Sequence, residues 1–333
     1  GDGDGQIDYD KVFSDFKEDG VVVITGLYTK EECDNLVHNT VEAFKKINPD
    51  INPTDETVRA TWTKPNLPPQ TRSGMFQSMI GHIEPVNSVR ENPQYKKIFA
   101  EMYSRMRDDF NPQTDGLISS IDGLNLKPNL VRPYHNSNID KDWAHMDQTI
   151  RGDTYKCIQG QVVLTNTTAS FRCSPKSHLV YEKILDELGI STKDKSNWAK
   201  IPPEKYNNCR EIVSSVGGQW QVPIHAPPGS CILWFSTTLH SAKHSDGPET
   251  PTVEDPWLGW RGVYYITYRP SREYTEKQKE KIIRNIELNR TMNHWGTHTF
   301  PTNTGKGFYP VSNYNPNIQK YIQNPELVYT LGI

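Results

Sequence analysis

The chain has 333 residues, enough to bury a large core as one elaborated domain or two. An apolar fraction of 35% with 10% aromatics excludes a disordered chain, and 24 prolines with 22 glycines imply long loops around a compact centre. A formal charge of -3 argues against a general nucleic-acid binder, because no basic field dominates the surface.

The five cysteines (33, 157, 173, 209, 231) include no C-x-x-C pair and are odd in number. Buried free thiols in a reducing, cytoplasmic setting are expected. No apolar stretch approaches the ~18 residues of a membrane span, and no secretory leader is recognised.

At the start, Asp2, Asp4 and Asp8 alternate around Gly5 and Ile7 like the later part of a calcium loop. Lys11 stands where that loop needs a bidentate Glu, so an acidic leader to the first element is expected instead. Residues 20–24 (GVVVI) form a short apolar strand. Thr29 and Glu32 then make a capping box for a helix whose apolar stripe runs through 33, 37, 40, 44 and 47. Residues 48–90 are rich in Pro, Thr and Asn and suit a wrapping or lid segment anchored by Trp62, Met75 and Phe76. A second helix is predicted over 93–110, with Pro93 in its first turn.

From about residue 116 the pattern turns to short Val/Ile/Tyr/Trp-rich segments: GLISSIDGL, LVRPYH, WAHMDQ, CIQGQVVLT, GQWQVPIHA, SCILWFST and GVYYITYR. One helix is predicted near 178–188, an irregular Lys/Pro/Asn-rich excursion over 189–215, and a helix with a Thr275/Gln278 capping box over 275–289. The tail from 290 is expected to lie over the surface. One antiparallel β-sandwich with helices outside fits this order, as a single domain with an N-terminal helical and loop region (1–115), a β core (116–270) and a C-terminal helix and tail (271–333).

Within WAHMDQ, His145 and Asp147 are two apart on a strand and project to one face, while Met146 faces away. One more histidine from a neighbouring strand would complete a two-histidine, one-carboxylate set, which suits non-haem Fe(II) and leaves coordination positions open. His240, coming off the SCILWFS strand after the Pro227-Pro228-Gly229 turn, is the first candidate, and His244 is the alternative. His82, His135, His178 and His225 read as structural, loop or supporting residues. Arg261, opening the VYYITYR strand, can offer a bidentate fork to a carboxylate, and Arg269 is the alternative. Tyr134, His135, Gln159 and Gln161 are candidates for hydrogen bonds to a cosubstrate or substrate. Trp143 shares the metal face. Trp257 in the 245–258 loop marks a second candidate lid, and Lys64 and Arg72 are candidate contacts for an anionic substrate.

The stretches FKEDGVVVITGLYTKEEC, WAHMDQ, VVLTNTTASFRCSPKSH, LWFSTTLHS and WRGVYYITY resemble the phytanoyl-CoA dioxygenase-like branch of the Fe(II)/2-oxoglutarate-dependent oxygenases. The resemblance spans about residues 12–47 and 117–270. It implies a mainly β fold with flanking helices around a double-stranded β-helix, the jelly-roll or cupin-like core. It further implies Fe(II) held by His145, Asp147 and His240, and 2-oxoglutarate held through its far carboxylate by Arg261. The reaction implied consumes O2, releases succinate and CO2, and hydroxylates a C–H bond of a small-molecule substrate. Asp147 disfavours halogenation, which would need a small residue there. Two features depart from the family's pattern: His240 and Arg261 are 21 residues apart, implying an inserted loop at 245–258, and Lys176 replaces the Gly of a Gly-Ser-His segment. A hydroxylase of protein or nucleobase substrates, and a non-catalytic β-sandwich scaffold, are the competing readings. Oligomeric state is not legible.

Overall fold

The computed structural model describes residues 7–55, 62, 75–77, 80–128, 143–247, 249–296, 319 and 323. Asp2, Asp4, Lys64, Arg72, Tyr134 and His135 lie outside the described residues, as does the LVRPYH segment.

The N-terminal helices form where the local signals ask for them. Asp8 caps α1 (Tyr9–Asp19), its side chain accepting from the Lys11 amide at 3.0 Å. The acidic leader therefore ends in a helix cap. Gly20 closes that helix in the left-handed region at φ 75°, where a Cβ would collide with the His178 ring. The Thr29/Glu32 capping box opens α2 (Lys30–Lys45) as the spacing predicts. Within the stretch expected to be irregular, the short helix α3 (Glu84–Arg90) forms with Pro85 in its first turn, where the missing N–H costs no bond. Asn92 caps α4 (Pro93–Met106), which stops four residues short of the predicted end.

Two antiparallel sheets follow. The first has the order β1 (Val21–Ile24), β10 (Cys231–Phe235), β6 (Ile158–Val163), β12 (Arg261–Tyr265), β4 (Leu124–Lys127) and β2 (Met75–Phe76). The second has the order β8 (Ala199–Lys200), β5 (His145–Met146), β11 (His240–Lys243), β7 (Ser170–Cys173) and β9 (Val222–Ile224). A two-stranded pair, β3 (Leu117–Ser119) with β13 (Tyr268–Pro270), lies beside them in sequence. Among the described residues the two larger sheets stay open and no closed barrel forms.

Side-chain alternation explains how the layers stack. Along β10, Cys231, Leu233 and Phe235 point into the cluster shared with Phe16, Val37, Phe44 and Phe99 from the N-terminal helices. Ile232 and Trp234, on the opposite face, join Val163, Val263 and Tyr265 of the same sheet and Phe171 and Cys173 of the other. The two sheets are thus packed face to face, with helices α1 to α4 behind the larger one. Behind the smaller one, Ala144, Met146 and Ala199 pack on α5 (Tyr181–Glu187) and α6 (Tyr206–Ser214).

That last helix corrects the expectation of an irregular excursion over 189–215. Only Cys209 and Val213 of it are buried and no side chain caps its start, so its amphipathic signal is short. The helix predicted at 178–188 begins as a 3-10 turn, Ser177–Val180, before α5. Lys176, in the place of the expected glycine, adopts the left-handed conformation at φ 68° and pairs with Glu18 at 3.1 Å. The Thr275/Gln278 capping box opens α7 (Glu276–Glu287). Over the described residues 291–296 the chain turns inward instead of lying over the surface: Thr291, Met292 and Trp295 are buried, and the Met292 amide donates to the Ile121 carbonyl; most of the tail beyond lies outside the described residues. Trp257, in the loop expected to act as a lid, is buried edge-on to Trp260, and Glu249 accepts hydrogen bonds from Thr167 and Thr168. The five cysteines are free and buried, and no described helix is long and apolar enough to cross a membrane.

Two histidines lie buried in this frame. His82 hydrogen-bonds the Arg290 carbonyl and His178 the Lys17 carbonyl, each at 2.9 Å. Burial lowers their pKa values, to about 3 for His82 and about 4 for His178. The unfolded chain takes up protons near pH 6.5 that the folded chain refuses until those lower values, so stability is lost as pH falls below 6.5. Urea titrations of the metal-free protein should show a loss of about 1 kcal/mol per buried histidine between pH 6 and 5. The His82→Gln variant should lose correspondingly less over that interval; an identical slope would contradict this assignment.

Candidate metal centre

The centre is built on a strand of two residues. β5 lies between β8 and β11, and His145 stands directly opposite His240 in the antiparallel register. Opposed residues bring their Cβ atoms to about 5 Å, and here the two imidazole centroids are 4.2 Å apart. Asp147 follows two residues after His145 and returns to the same face, while Met146 enters the apolar layer behind. His240 does not trail off the end of β10 as expected. It opens β11 in the facing sheet, flanked by His145 on one side and Cys173 on the other.

Each imidazole is oriented by its own backbone. His145 Nδ1 is 3.1 Å from the Trp143 carbonyl and His240 Nδ1 is 2.9 Å from the Thr238 carbonyl. With Nδ1–H donating in each case, the Nε2 lone pairs face inward, as metal ligation requires. They lie 3.9 Å (His145) and 3.3 Å (His240) from the two carboxylate oxygens of Asp147. One donor atom from each of the three residues falls within 4.8 Å of the others. Trp143, as its strand parity predicts, stacks on the His145 ring with centroids 4.6 Å apart.

Charge suits the same purpose. Burial and then the neighbouring His240 lower the His145 pKa to about 4, so this imidazole is a neutral donor at neutral pH. Burial opposes ionisation of Asp147, but the imidazoles of His145 and His240 outweigh it and hold the carboxyl below the ordinary range. Gln159 supports the carboxylate, its Nε2 donating to Asp147 Oδ2 at 3.0 Å while its Oε1 accepts from the Trp234 indole at 2.8 Å. A two-histidine, one-aspartate metal-binding site is present. Two imidazoles and a carboxylate are the donor chemistry of a non-haem iron centre with open positions.

Those positions face a cavity of about 480 Å³ between the sheets. Its far wall belongs to the larger sheet and includes Gln161, Arg261 and Tyr265. Arg261 is buried, and its side chain makes no hydrogen bond or ion pair with the described residues. Arg269 is committed elsewhere, paired with Glu273 at 2.5 Å and held over the Trp295 ring. His244 is not part of the metal set; its Nδ1 lies 3.4 Å from Lys127 Nζ. His225 lines a second cavity that also touches Arg261.

Sequence reasoning missed Asp122, His294 and Trp295, which also line the metal cavity. The only sequence signal of His294 and Trp295 is the tripeptide Asn293-His294-Trp295 in a tail otherwise rich in Asn, Pro and Tyr.

No protein-family model matches the chain, and no curated protein matches it in sequence. Solved structures share its fold. GlcNAc Inducible Gene 2, GIG2 (DUF1479), from Candida albicans is 13% identical, with 94% of this chain and 75% of that one covered at a TM-score of 0.53. A Salmonella typhimurium LT2 protein named provisionally as an oxidoreductase is 14% identical over 94% and 82% of the two chains, at 0.52. A looser likeness, at 0.45, is to EctD from S. alaskensis with 2-oxoglutarate and 5-hydroxyectoine, 14% identical over 80% and 77%. At such identities the likeness speaks for the fold alone.

Removing a donor atom should cost more metal affinity than the ~100-fold that loss of a supporting hydrogen bond can cost. His145→Ala and His240→Ala are each expected to lose stoichiometric Fe(II) or Co(II) after anaerobic loading and desalting, whereas His244→Ala retains it. Wild-type metal content in His145→Ala would sink the assignment.

Proposed function

We propose that this chain is an Fe(II)- and 2-oxoglutarate-dependent dioxygenase that hydroxylates a C–H bond of a small organic substrate. It fits the double-stranded β-helix oxygenases in the phytanoyl-CoA dioxygenase-like branch. The carrying observation is the placement of Arg261, buried and unpaired among the described residues, across the cavity from His145, Asp147 and His240. A buried guanidinium without an anionic partner is costly, and a dicarboxylate reaching from the metal set to the opposite sheet would supply one.

In this reading His145, Asp147 and His240 hold the iron and Arg261 pairs with the far carboxylate of 2-oxoglutarate. Bound there, iron and 2-oxoglutarate supply the oxidising power for hydroxylation, with succinate and CO2 released from the cosubstrate and O2 consumed. The protein's own part is orientation. Trp143 and Thr238 fix the imidazoles through backbone carbonyls, Gln159 fixes the Asp147 carboxylate, and Trp143, Phe171 and Trp234 give the cavity apolar walls. The cavity volume is that of a small-molecule site, and the position of the substrate within it sets which carbon reacts. Gln161, whose Oε1 is buried without a hydrogen-bond partner, is placed to read a donor on substrate or cosubstrate. Tyr134 belongs to the same proposal from its place in the sequence just before Trp143.

Loss of a charge-assisted fork weakens carboxylate binding by about 10- to 100-fold. The Arg261→Ala variant should therefore raise the KM for 2-oxoglutarate by that factor in succinate-release assays, with metal content unchanged. An unaltered KM would remove Arg261 from the cosubstrate site. Failure of the wild-type protein to consume 2-oxoglutarate with any of a broad set of small acids, amino acids and lipids would count against the reading as a whole.

A further inference from the structure

Asp147 sits just beyond the end of β5, so its main chain lacks the ladder that holds His145. Its amide donates to the Ser236 carbonyl at 2.9 Å. Its carbonyl accepts from the Trp295 indole N–H at 2.7 Å, across 148 positions of sequence. Trp295 is itself built in: its ring lies beneath the Arg269 guanidinium, 4.8 Å from the centroid, and its carbonyl accepts from the Tyr274 hydroxyl at 2.9 Å.

The preceding residue reaches the same aspartate by a second route. His294 Nδ1 hydrogen-bonds the buried Asp122 carboxylate, and its Nε2 lies 3.2 Å from the Thr267 hydroxyl, which accepts from the Gly160 amide. With both nitrogens engaged, the ring is fixed against Trp234, stacked at 5.6 Å. Trp234 in turn donates to Gln159, and Gln159 to the Asp147 carboxylate.

We propose that residues 291–296 form a strap that sets the metal-binding carboxylate, with Trp295 as a positioning residue on the Asp147 main chain and the His294–Asp122 pair as its latch. The inference rests on the metal reading of His145, Asp147 and His240. Loss of the indole N–H frees the 147–148 peptide to rotate, and the carboxylate, attached next to it, loses its fixed aim.

The test is anaerobic Co(II) titration of the full chain against a competing chelator, with the visible spectrum of the bound ion recorded alongside. Trp295→Phe keeps an aromatic ring beneath Arg269 and removes the donor together with the indole's second ring. It should bind Co(II) about 10- to 100-fold more weakly than wild type, the range for loss of a hydrogen bond behind a ligand, with an altered spectrum. Asp122→Asn, which weakens the latch without removing a side chain, should shift affinity in the same direction and serves if the first variant does not fold. Wild-type affinity and spectrum in the folded variants would overturn the strap while leaving the metal centre standing. No Co(II) binding by the wild-type protein would instead overturn the metal reading on which it rests.

Discussion

The register between β5 and β11 is the constraint on which the site depends. A single pairing, His145 opposite His240, brings two imidazoles from residues 95 positions apart onto one surface. A slip of one residue in β5 would turn Met146 toward the cavity and both His145 and Asp147 into the apolar layer behind it. That layer resists the slip, since Met146 belongs to an apolar cluster with Ala144, Ile184, Val213 and Leu239. The chemistry on one face is therefore specified by the packing on the other. Because β5 is so short, its registration comes less from its own ladder than from α5 and α6 behind it.

Electrostatics complete what registration begins. Burial keeps His145 neutral while the neighbouring imidazoles hold Asp147 ionised, so this wall brings a carboxylate charge to the cavity. The opposite wall carries the positive charge of Arg261. A divalent cation would answer the Asp147 carboxylate and a dianion the Arg261 guanidinium, and the two inserted charges would offset one another. Within the proposed function, this favours joint occupation of the two positions over independent binding.

Much of this was legible in the chain. The two capping boxes, the short apolar runs CILWF and VYYIT and the i, i+2 pair in HMD depend on local pattern, which survives folding unchanged. His240 was readable as a histidine just past the end of the apolar SCILWFS run, though not as the opening of a new strand, and Arg261 as a charged residue opening the apolar VYYITYR segment. The less visible parts depend on contacts distant in sequence. Helix α6 is stabilised through two buried side chains against α5, so its own pattern is faint. The inward turn after α7 rests on Ile121, Asp122 and Asp147, none of which is adjacent to it. A His-Trp pair in a polar tail carries no periodicity that would reveal such partners. Glycine's replacement by Lys176 was visible as a departure, but only the backbone shows that the left-handed conformation is kept and supported by Glu18.

The division of labour between the sheets has one more consequence. All three metal-binding residues belong to the smaller sheet or its immediate end, while Arg261, Gln159 and Gln161 belong to the larger one. The distance from the metal set to Arg261 is thus the thickness of the apolar filling between the sheets, which includes Phe171, Ile232, Trp234 and Val263. Those side chains act as a ruler. A change in their bulk would retune the span between the two walls without touching either, and within the proposed function this makes the filling of the sandwich a determinant of which dicarboxylate length fits.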